Sequence, residues 1–93
     1  AGVIYAASKG AVNSLTIGLS QEVASEGIRV NAVAPGLTDT DMPATDKLAA
    51  GKAIIPMGRI GQPEEIAAAI LWLLSNQAAY VAGANIRIAG GRL

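Results

Sequence analysis

The sequence predicts an α/β fold in which helices pack against parallel strands. Apolar residues make up 52% of the 93 positions and aromatic residues only 3%, so the core has to be built from alanine, valine, isoleucine and leucine. Such small and branched side chains are typical of helices lying closely on a buried parallel sheet. Helix-like and strand-like segments also alternate along the chain, as in a β-α-β unit. A chain of this length is enough for one small domain and too short for two.

The first predicted element is a long helix from about Val3 to Ser25. Apolar residues recur along it at intervals of three and four positions and mark one face, namely Val12, Leu15, Leu19 and Val23. Small residues on the other side let a neighbouring backbone approach closely, namely Ala6, Ala7, Ala11, Ser14 and Gly18. Gly27 is suited to end the helix in a left-handed conformation.

Two short strands are predicted further along the chain. The β-branched segment Ile28–Ala34 ends at Pro35-Gly36 and indicates the first strand. Gly83 introduces the second strand, Ala84–Ala89, which ends at Gly90-Gly91. The Gly-Gly pair resembles a phosphate-binding loop only superficially, because no helix follows it.

The segment between the strands predicts two helices. A short helix fits Asp46–Ile54, and Pro63 begins a longer one that runs to about Leu74. Strands joined through such a crossover should be parallel. A two-stranded sheet leaves Ile28–Ala34 with an unpaired edge, so we expect further strands beside it, from the rest of a larger protein or from another copy.

Composition excludes several function classes. Seven basic and seven acidic residues are scattered along the chain, which argues against nucleic acid or an anionic membrane surface as a partner. No apolar run approaches the roughly 18 residues that span a bilayer, and no signal-peptide pattern is present. The absence of both cysteine and histidine excludes Cys/His nucleophile pairs and the usual zinc sites, so no metal site is expected. A cytoplasmic protein is the default expectation.

The candidate catalytic residues are Tyr5 and Lys9, which lie one helical turn apart on the same face of the first helix. A phenol is a poor acid at neutral pH, with a pKa of about 10. An ammonium group held nearby favours the phenolate and lowers that pKa. The pair therefore predicts a proton donor and acceptor that works near neutral pH without histidine, cysteine or metal.

Other polar and aromatic residues favour structural roles. Asp39 and Asp41 could form a carboxylate pair, but two exposed loop aspartates are the simpler interpretation. Glu64 and Glu65 favour the positive end of a helix dipole. Trp72 is expected to pack on the crossover helix. Asn31 is expected to satisfy backbone groups beside its strand.

Five sequence blocks together resemble the C-terminal portion of the short-chain dehydrogenase/reductase family, near its 3-oxoacyl-acyl-carrier-protein reductase branch. The blocks are Tyr5–Ala11, Gly27–Gly36, Thr40–Met42, Gly58–Ala67, and Tyr80–Gly83 leading to Gly90-Gly91. Each block is moderately specific, and their order and spacing cover nearly the whole chain. The resemblance implies that residues 1–93 are the C-terminal α-β-α-β part of a doubly wound Rossmann-like parallel sheet whose first half is missing. Because the chain begins with Ala1, we expect a piece of a longer protein.

The resemblance also implies an activity, namely NAD(P)-dependent hydride transfer between a nicotinamide and a small-molecule carbonyl or secondary alcohol. Tyr5 matches the family's catalytic acid/base. Lys9 matches the lysine that lowers the tyrosine's pKa and hydrogen-bonds the nicotinamide ribose.

Further cofactor-binding positions follow from the same resemblance. Pro35-Gly36 matches the turn that lies against the nicotinamide. Thr38 stands where the family's backbone meets the carboxamide, and Thr40 where a hydroxyl approaches the cofactor's phosphates. Residues from Asp39 to about Ile60 correspond to a mobile substrate lid. The ligand position agrees with the rule that open α/β sheets bind ligands beyond the carboxyl ends of their strands.

Several parts of the family's active site do not occur in this sequence. They are the Gly-rich phosphate turn, the residue that selects NAD or NADP, the catalytic serine and the asparagine of the proton relay. Ser8 is not that serine, because it lies inside the Tyr5–Lys9 turn. We therefore expect half an active site, and no activity from the chain by itself.

Three hypotheses remain open at this stage. The chain is the end of an oxidoreductase, an inactive remnant of one that persists by pairing its open edge with other copies, or a binding and assembly module in its own right. Self-association as a homo-oligomer is expected in each case, because the long first helix matches one that packs across a subunit interface in the family. The substrate's identity cannot be read from so generic a scaffold.

Overall fold

The computed structural model describes residues 2–39 and 43–92, which form a small α/β structure with a two-stranded parallel sheet. Its helices and strands are, in chain order, α1 (Gly2–Val23), β1 (Ala32–Pro35), α2 (Ala44–Ile54), α3 (Pro63–Leu74) and β2 (Asn85–Ile88). Short 3₁₀ helices at Ala24–Glu26 and Asn76–Ala78 follow α1 and α3. Gly27 has φ 78° and ends the first of these turns, as predicted.

The two strands are paired in parallel, which confirms the prediction from the crossover. Ala32 lies opposite Asn85, and Pro35 lies opposite Ile88. The N–H of Gly36 continues the pairing beyond β1 by donating to the carbonyl of Ile88 at 2.9 Å. The carboxyl ends of both strands therefore lie side by side at one edge of the structure.

Strand β1 begins four residues later than the sequence predicts. The segment before it runs beside the approach to β2, where the side chain of Asn31 takes over the pairing. Its Nδ2 donates to the carbonyl of Val81 at 2.9 Å, and its Oδ1 accepts from the N–H of Ala84 at 2.9 Å. This confirms the expected role of Asn31, and it explains why regular strand pairing starts only at Ala32.

Helices α1 and α3 lie on opposite faces of the strand pair. The side chain of Asn85 on β2 reaches Asn13 of α1, with 3.5 Å between Nδ2 and Oδ1. Alternate strand residues point to opposite faces, and Ile88 lines a cleft together with Ile66 of α3. Helices on both faces are what a doubly wound sheet requires.

The apolar stripe of α1 is not the face that turns toward the chain's own strands. Val12, Leu15 and Leu19 are 55%, 67% and 40% exposed, whereas Thr16 and Ser20 are only 6% and 4% exposed. A carbon in place of the missing Cβ of Gly83 would lie 3.4 Å from Ser20 Oγ, so the helix approaches this turn closely. The hydroxyl of Thr16 is satisfied by donating to the carbonyl of Val12 at 2.7 Å. Small polar residues thus face the chain's own strands, and the apolar face is left uncovered by the described residues.

The buried apolar side chains belong to the second half of the chain. Ile55, Ile60, Leu73 and Ala78 form this core. Helix α2 begins two residues before the predicted helix, and α3 has the predicted bounds. Neither they nor α1 are long and apolar enough to cross a membrane, and the same holds for every helix within residues 2–39 and 43–92.

Candidate active site

A cleft of about 350 Å³ opens at the carboxyl ends of the two strands and brings most of the predicted site residues together. Tyr5 and Lys9 line it from the first turns of α1, and Pro35 and Gly36 line it from the end of β1. The pair on α1 and the pair at the end of β1 are separated by more than 25 positions in the sequence. They meet because α1 begins where the parallel strands end.

Tyr5 and Lys9 lie side by side in this cleft. The Nζ of Lys9 lies 5.1 Å from the centroid of the Tyr5 ring, within the range of a cation–π contact. Tyr5 as a whole is 62% exposed, so its side chain is accessible to a ligand. The intervening Ser8 donates its hydroxyl to the carbonyl of Tyr5 at 2.8 Å and is thus occupied within the helix. An accessible phenol beside an ammonium group is suited to exchange a proton with a ligand's oxygen.

Gly36 lies at the tightest point between the strand ends. A Cβ at this position would be 2.7 Å from the Cβ of Ala89 and 2.9 Å from its Cα. No side chain fits there unless the strand ends move apart. Glycine at position 36 therefore lets the two strand ends pack this closely.

The two predicted threonines have different outcomes. Thr38 is one residue beyond the last β1-side residue that lines the cleft, and its Oγ1 donates to the carbonyl of Gly36 at 3.1 Å. Its backbone lies in a short parallel bridge with Gly61. Thr40 lies outside the described residues, so its predicted contact with the cofactor's phosphates stays a prediction.

Sequence analysis missed two cationic residues in the same cleft, Arg87 and Arg92. Arg87 lies on β2 two positions after Asn85, which contacts α1, so the period of the strand could have indicated its face. Arg92 follows a tight turn in which Gly90 and Gly91 have φ 62° and 93°. The N–H of Arg92 closes this turn by donating to the carbonyl of Ala89 at 3.1 Å.

Asp39 is not the exposed loop residue that the sequence suggested. It is partly buried, and its Oδ1 lies 2.9 Å from the Nζ of Lys47 on α2. Its N–H also donates to the carbonyl of Gly61 at 2.7 Å. The carboxylate thus helps to dock α2 against the segment that follows β1, while Asp41 lies outside the described residues.

Glu65 does more than favour the start of a helix dipole. Its two oxygens accept hydrogen bonds from Arg59 at 2.7 and 2.8 Å, and Oε1 also accepts from the N–H of Gln62 at 3.0 Å. These hydrogen bonds, first that of Arg59 and then that of Gln62, lower the pKa of Glu65 to about 2.

Trp72, expected to pack on α3, is instead among the exposed side chains.

A second cleft of about 360 Å³ adjoins the first and is mainly apolar. Ile55, Met57 and Ile66 line it, and it shares Leu37 and Arg87 with the cleft that holds Tyr5. Arg87 therefore stands between the two spaces.

The fold and site together define an α/β domain with a ligand cleft beyond the carboxyl ends of its parallel strands. Residues 1–92 match the family described as enoyl-(acyl carrier protein) reductase. The chain belongs to the short-chain dehydrogenase/reductase family of oxidoreductases, as the resemblance of its sequence blocks predicts.

Individual relatives support the same assignment. The chain is 54% identical to an uncharacterized oxidoreductase of Escherichia coli, YgfF, over 97% of its length and 38% of the relative's. It is 52% identical to a 3alpha-hydroxysteroid dehydrogenase of Mediterraneibacter gnavus, over 92% of its length and 36% of the relative's. Identity to the 3-oxoacyl-[acyl-carrier-protein] reductase FabG of Vibrio harveyi is 44%, over 94% of the chain and 37% of the relative. The chain thus spans little more than a third of the length of these curated relatives.

Proposed function

We propose that this chain is the C-terminal part of an NAD(P)-dependent oxidoreductase that transfers hydride between a nicotinamide and a carbonyl or secondary alcohol. The observation that carries the proposal is the meeting of Tyr5 and Lys9 with the Pro35-Gly36 main chain in one cleft. The family membership and the names of the dehydrogenase and reductase relatives support it. The part of the active site that this chain does not contain would come from the first half of the sheet.

The residues of the cleft fit the nicotinamide end of such a cofactor. Its donors include a hydroxyl and an ammonium group, from Tyr5 and Lys9, which suit a ribose and a carbonyl oxygen. Pro35 and Gly36 line the same cleft, so the nicotinamide ring would lie against this turn. In this proposal Lys9 holds the ribose, the Pro35-Gly36 turn lies against the nicotinamide, and the bound cofactor supplies or accepts the hydride.

The protein's own chemical step is a proton transfer at the hydroxyl oxygen of Tyr5. During reduction the phenol gives its proton to the substrate oxygen as negative charge develops there, and in the reverse direction the phenolate accepts it. The ammonium of Lys9, 5.1 Å from the ring centroid, stabilises the phenolate that remains after the proton has left. Neither direction of this proton transfer needs a metal ion.

A conservative substitution at Tyr5 tests this role in the full-length protein. Tyr5→Phe removes only the proton carrier, so carbonyl reduction should be abolished while NAD(P)H still binds. Tyr80→Phe is the matched control, because Tyr80 is fully exposed and does not line the cleft. Lys9→Ala should lower both the rate and the cofactor affinity. Undiminished reduction by Tyr5→Phe would exclude the proposed proton transfer.

The alternative function is a self-associating structural module without catalysis. The exposed apolar face of α1 favours it, because Val12, Leu15 and Leu19 remain 40–67% exposed. The two proposals are compatible, since a homo-oligomer of the full-length enzyme would cover the same face. They differ in whether Tyr5 takes part in a reaction, which the Tyr5→Phe variant tests.

A further inference from the structure

The basic residues of the chain fall into two groups. Three are engaged: Lys47 and Arg59 pair with carboxylates, and Arg29 donates to two main-chain carbonyls at 3.3 Å. For the other four, Lys9, Lys52, Arg87 and Arg92, no ion pair or hydrogen bond to their charged groups occurs in the part of the chain that the structure describes. Charge neutralisation is thus unevenly distributed, although the chain as a whole has no net charge.

Three of these four unneutralised cations line one cleft. Lys9 reaches it from α1, Arg87 from β2, and Arg92 from the turn that Gly90-Gly91 forms after β2. No aspartate or glutamate contributes to the lining within residues 2–39 and 43–92. Like charges gathered in a concave site repel one another and attract anions, so the arrangement disfavours the empty cleft and favours an anionic occupant.

We propose that Arg87 and Arg92 bind a carboxylate or phosphate group carried by the carbonyl substrate, which makes the enzyme selective for anionic substrates. This inference rests on the proposed function, because it places the anionic group in the cleft where Tyr5 meets the carbonyl. Lys9 already serves the phenolate and the cofactor, which leaves the two arginines for the substrate. The guanidinium group donates two parallel hydrogen bonds to a carboxylate or phosphate, so it orients the ligand as well as attracting it.

The position of Arg87 also fixes where the rest of the substrate goes. Arg87 lines the adjoining apolar cleft as well, so an anion bound there lies at the boundary between the two spaces. A short substrate would remain in the polar cleft. A longer one would extend its apolar part toward Ile55 and Ile66.

The test uses the full-length protein and two ketones of the same size, one anionic and one neutral. They are acetoacetate and its amide, acetoacetamide. Wild type should reduce acetoacetate with a kcat/KM at least about tenfold higher, the factor expected from one charge-assisted hydrogen-bonded pair. Arg87→Gln should remove that preference by raising KM for acetoacetate alone, and Arg87→Lys should restore part of it. Lys52→Gln is the matched control, because it removes an exposed, unpaired cation outside the cleft.

A binding measurement without cofactor separates this inference from the proposed function. Acetoacetate is titrated into wild type and Arg87→Gln, and the dissociation constant is measured by NMR from the arginine Nε–Hε signals. The Arg87 and Arg92 signals should shift, that of Arg59 should not, and the dissociation constant should rise about tenfold in the variant. Acetoacetamide is titrated in the same way, and equal binding of acetoacetate and acetoacetamide would overturn the inference whether or not hydride transfer occurs. A rise in the KM for the dinucleotide on Arg87→Gln, with the substrate KM unchanged, would overturn it too, by assigning the arginines to the cofactor.

Discussion

Adding one methyl group at Gly36 should destabilise the protein, although replacing glycine by alanine stabilises a protein where the native backbone suits alanine and the space is free. In Gly36→Ala the new Cβ would lie 2.7 Å from Ala89 Cβ, and ordinary contact begins at 3.4 Å, so the strand ends must separate by about 0.7 Å. Neither Cβ nor Cα of Ala89 can rotate away, because both are fixed to the backbone of the strand end. The movement would stretch the 2.9 Å hydrogen bond from Gly36 N–H to Ile88.

The magnitude follows from two opposing effects. Forcing a methyl group into filled space costs about 1–3 kcal/mol. Restricting the unfolded chain gains about 0.4–1 kcal/mol where the native backbone suits alanine, as it does here because Gly36 is not among the glycines with positive φ. Strain should therefore exceed the gain, with a net loss of about 1–2 kcal/mol.

Urea unfolding of the chain measures this loss against a matched control. Gly18→Ala places the same methyl group in the middle of α1, where nothing lies within 4 Å of it, and should raise the free energy of unfolding by up to about 1 kcal/mol. All variants are compared at one protein concentration, because self-association would shift the midpoint. If Gly36→Ala is stabilised as much as Gly18→Ala, the strand ends are not packed as described.

Three further predictions concern charge, assembly and cofactor. Because the pKa of Glu65 is lowered to about 2 from its usual 4.5, its contribution to stability is present above about pH 4.5 and is lost as the pH falls toward 2, so Glu65→Gln should lower the urea midpoint near neutral pH and have little effect at the acid end. The isolated chain should sediment as a dimer or larger and Leu15→Glu as a smaller species; a well-folded wild-type monomer at low micromolar concentration would contradict the role of the uncovered α1 face and open edge. Fluorescence titration of the isolated chain with NADH or NADPH should not saturate. A micromolar affinity would show that this chain holds more than half of the cofactor site.

Local sequence signals predicted the elements better than they predicted packing. Pro63 at a helix start and Gly27 at a helix end act through their own backbone geometry, so α3 and the end of the α1 region lie where the sequence places them. The length of β1 depends on what lies beside it. Asn31 occupies the pairing positions with its side chain, which no strand propensity indicates.

The face of α1 that contacts the chain's own strands could not be predicted from the sequence, for a related reason. Apolar periodicity reports that a face is to be covered, and it does not say which part of a protein covers it. In this chain Thr16 and Ser20 meet the strands, while Leu15 and its apolar neighbours are left to something else. The site was predictable where a motif stood on one element, as with Tyr5 and Lys9. The two arginines of the cleft were not predicted, because their place in the site depends on elements that fold beside them.

Cover on α1 and the geometry of the cleft are therefore coupled through one helix. Tyr5 and Lys9 stand on the first turns of the same rigid helix whose later turns expose Leu15 and Leu19. Asn13 bonds to Asn85 of β2, and Ser20 lies close to Gly83 before that strand. Whatever packs on the apolar face thus also fixes the position of the phenol relative to Pro35-Gly36. In the proposed function, loss of that cover should change the rate of proton transfer from Tyr5 without any substitution of Tyr5 or Lys9, since a small misplacement of reacting groups is enough to slow an enzyme.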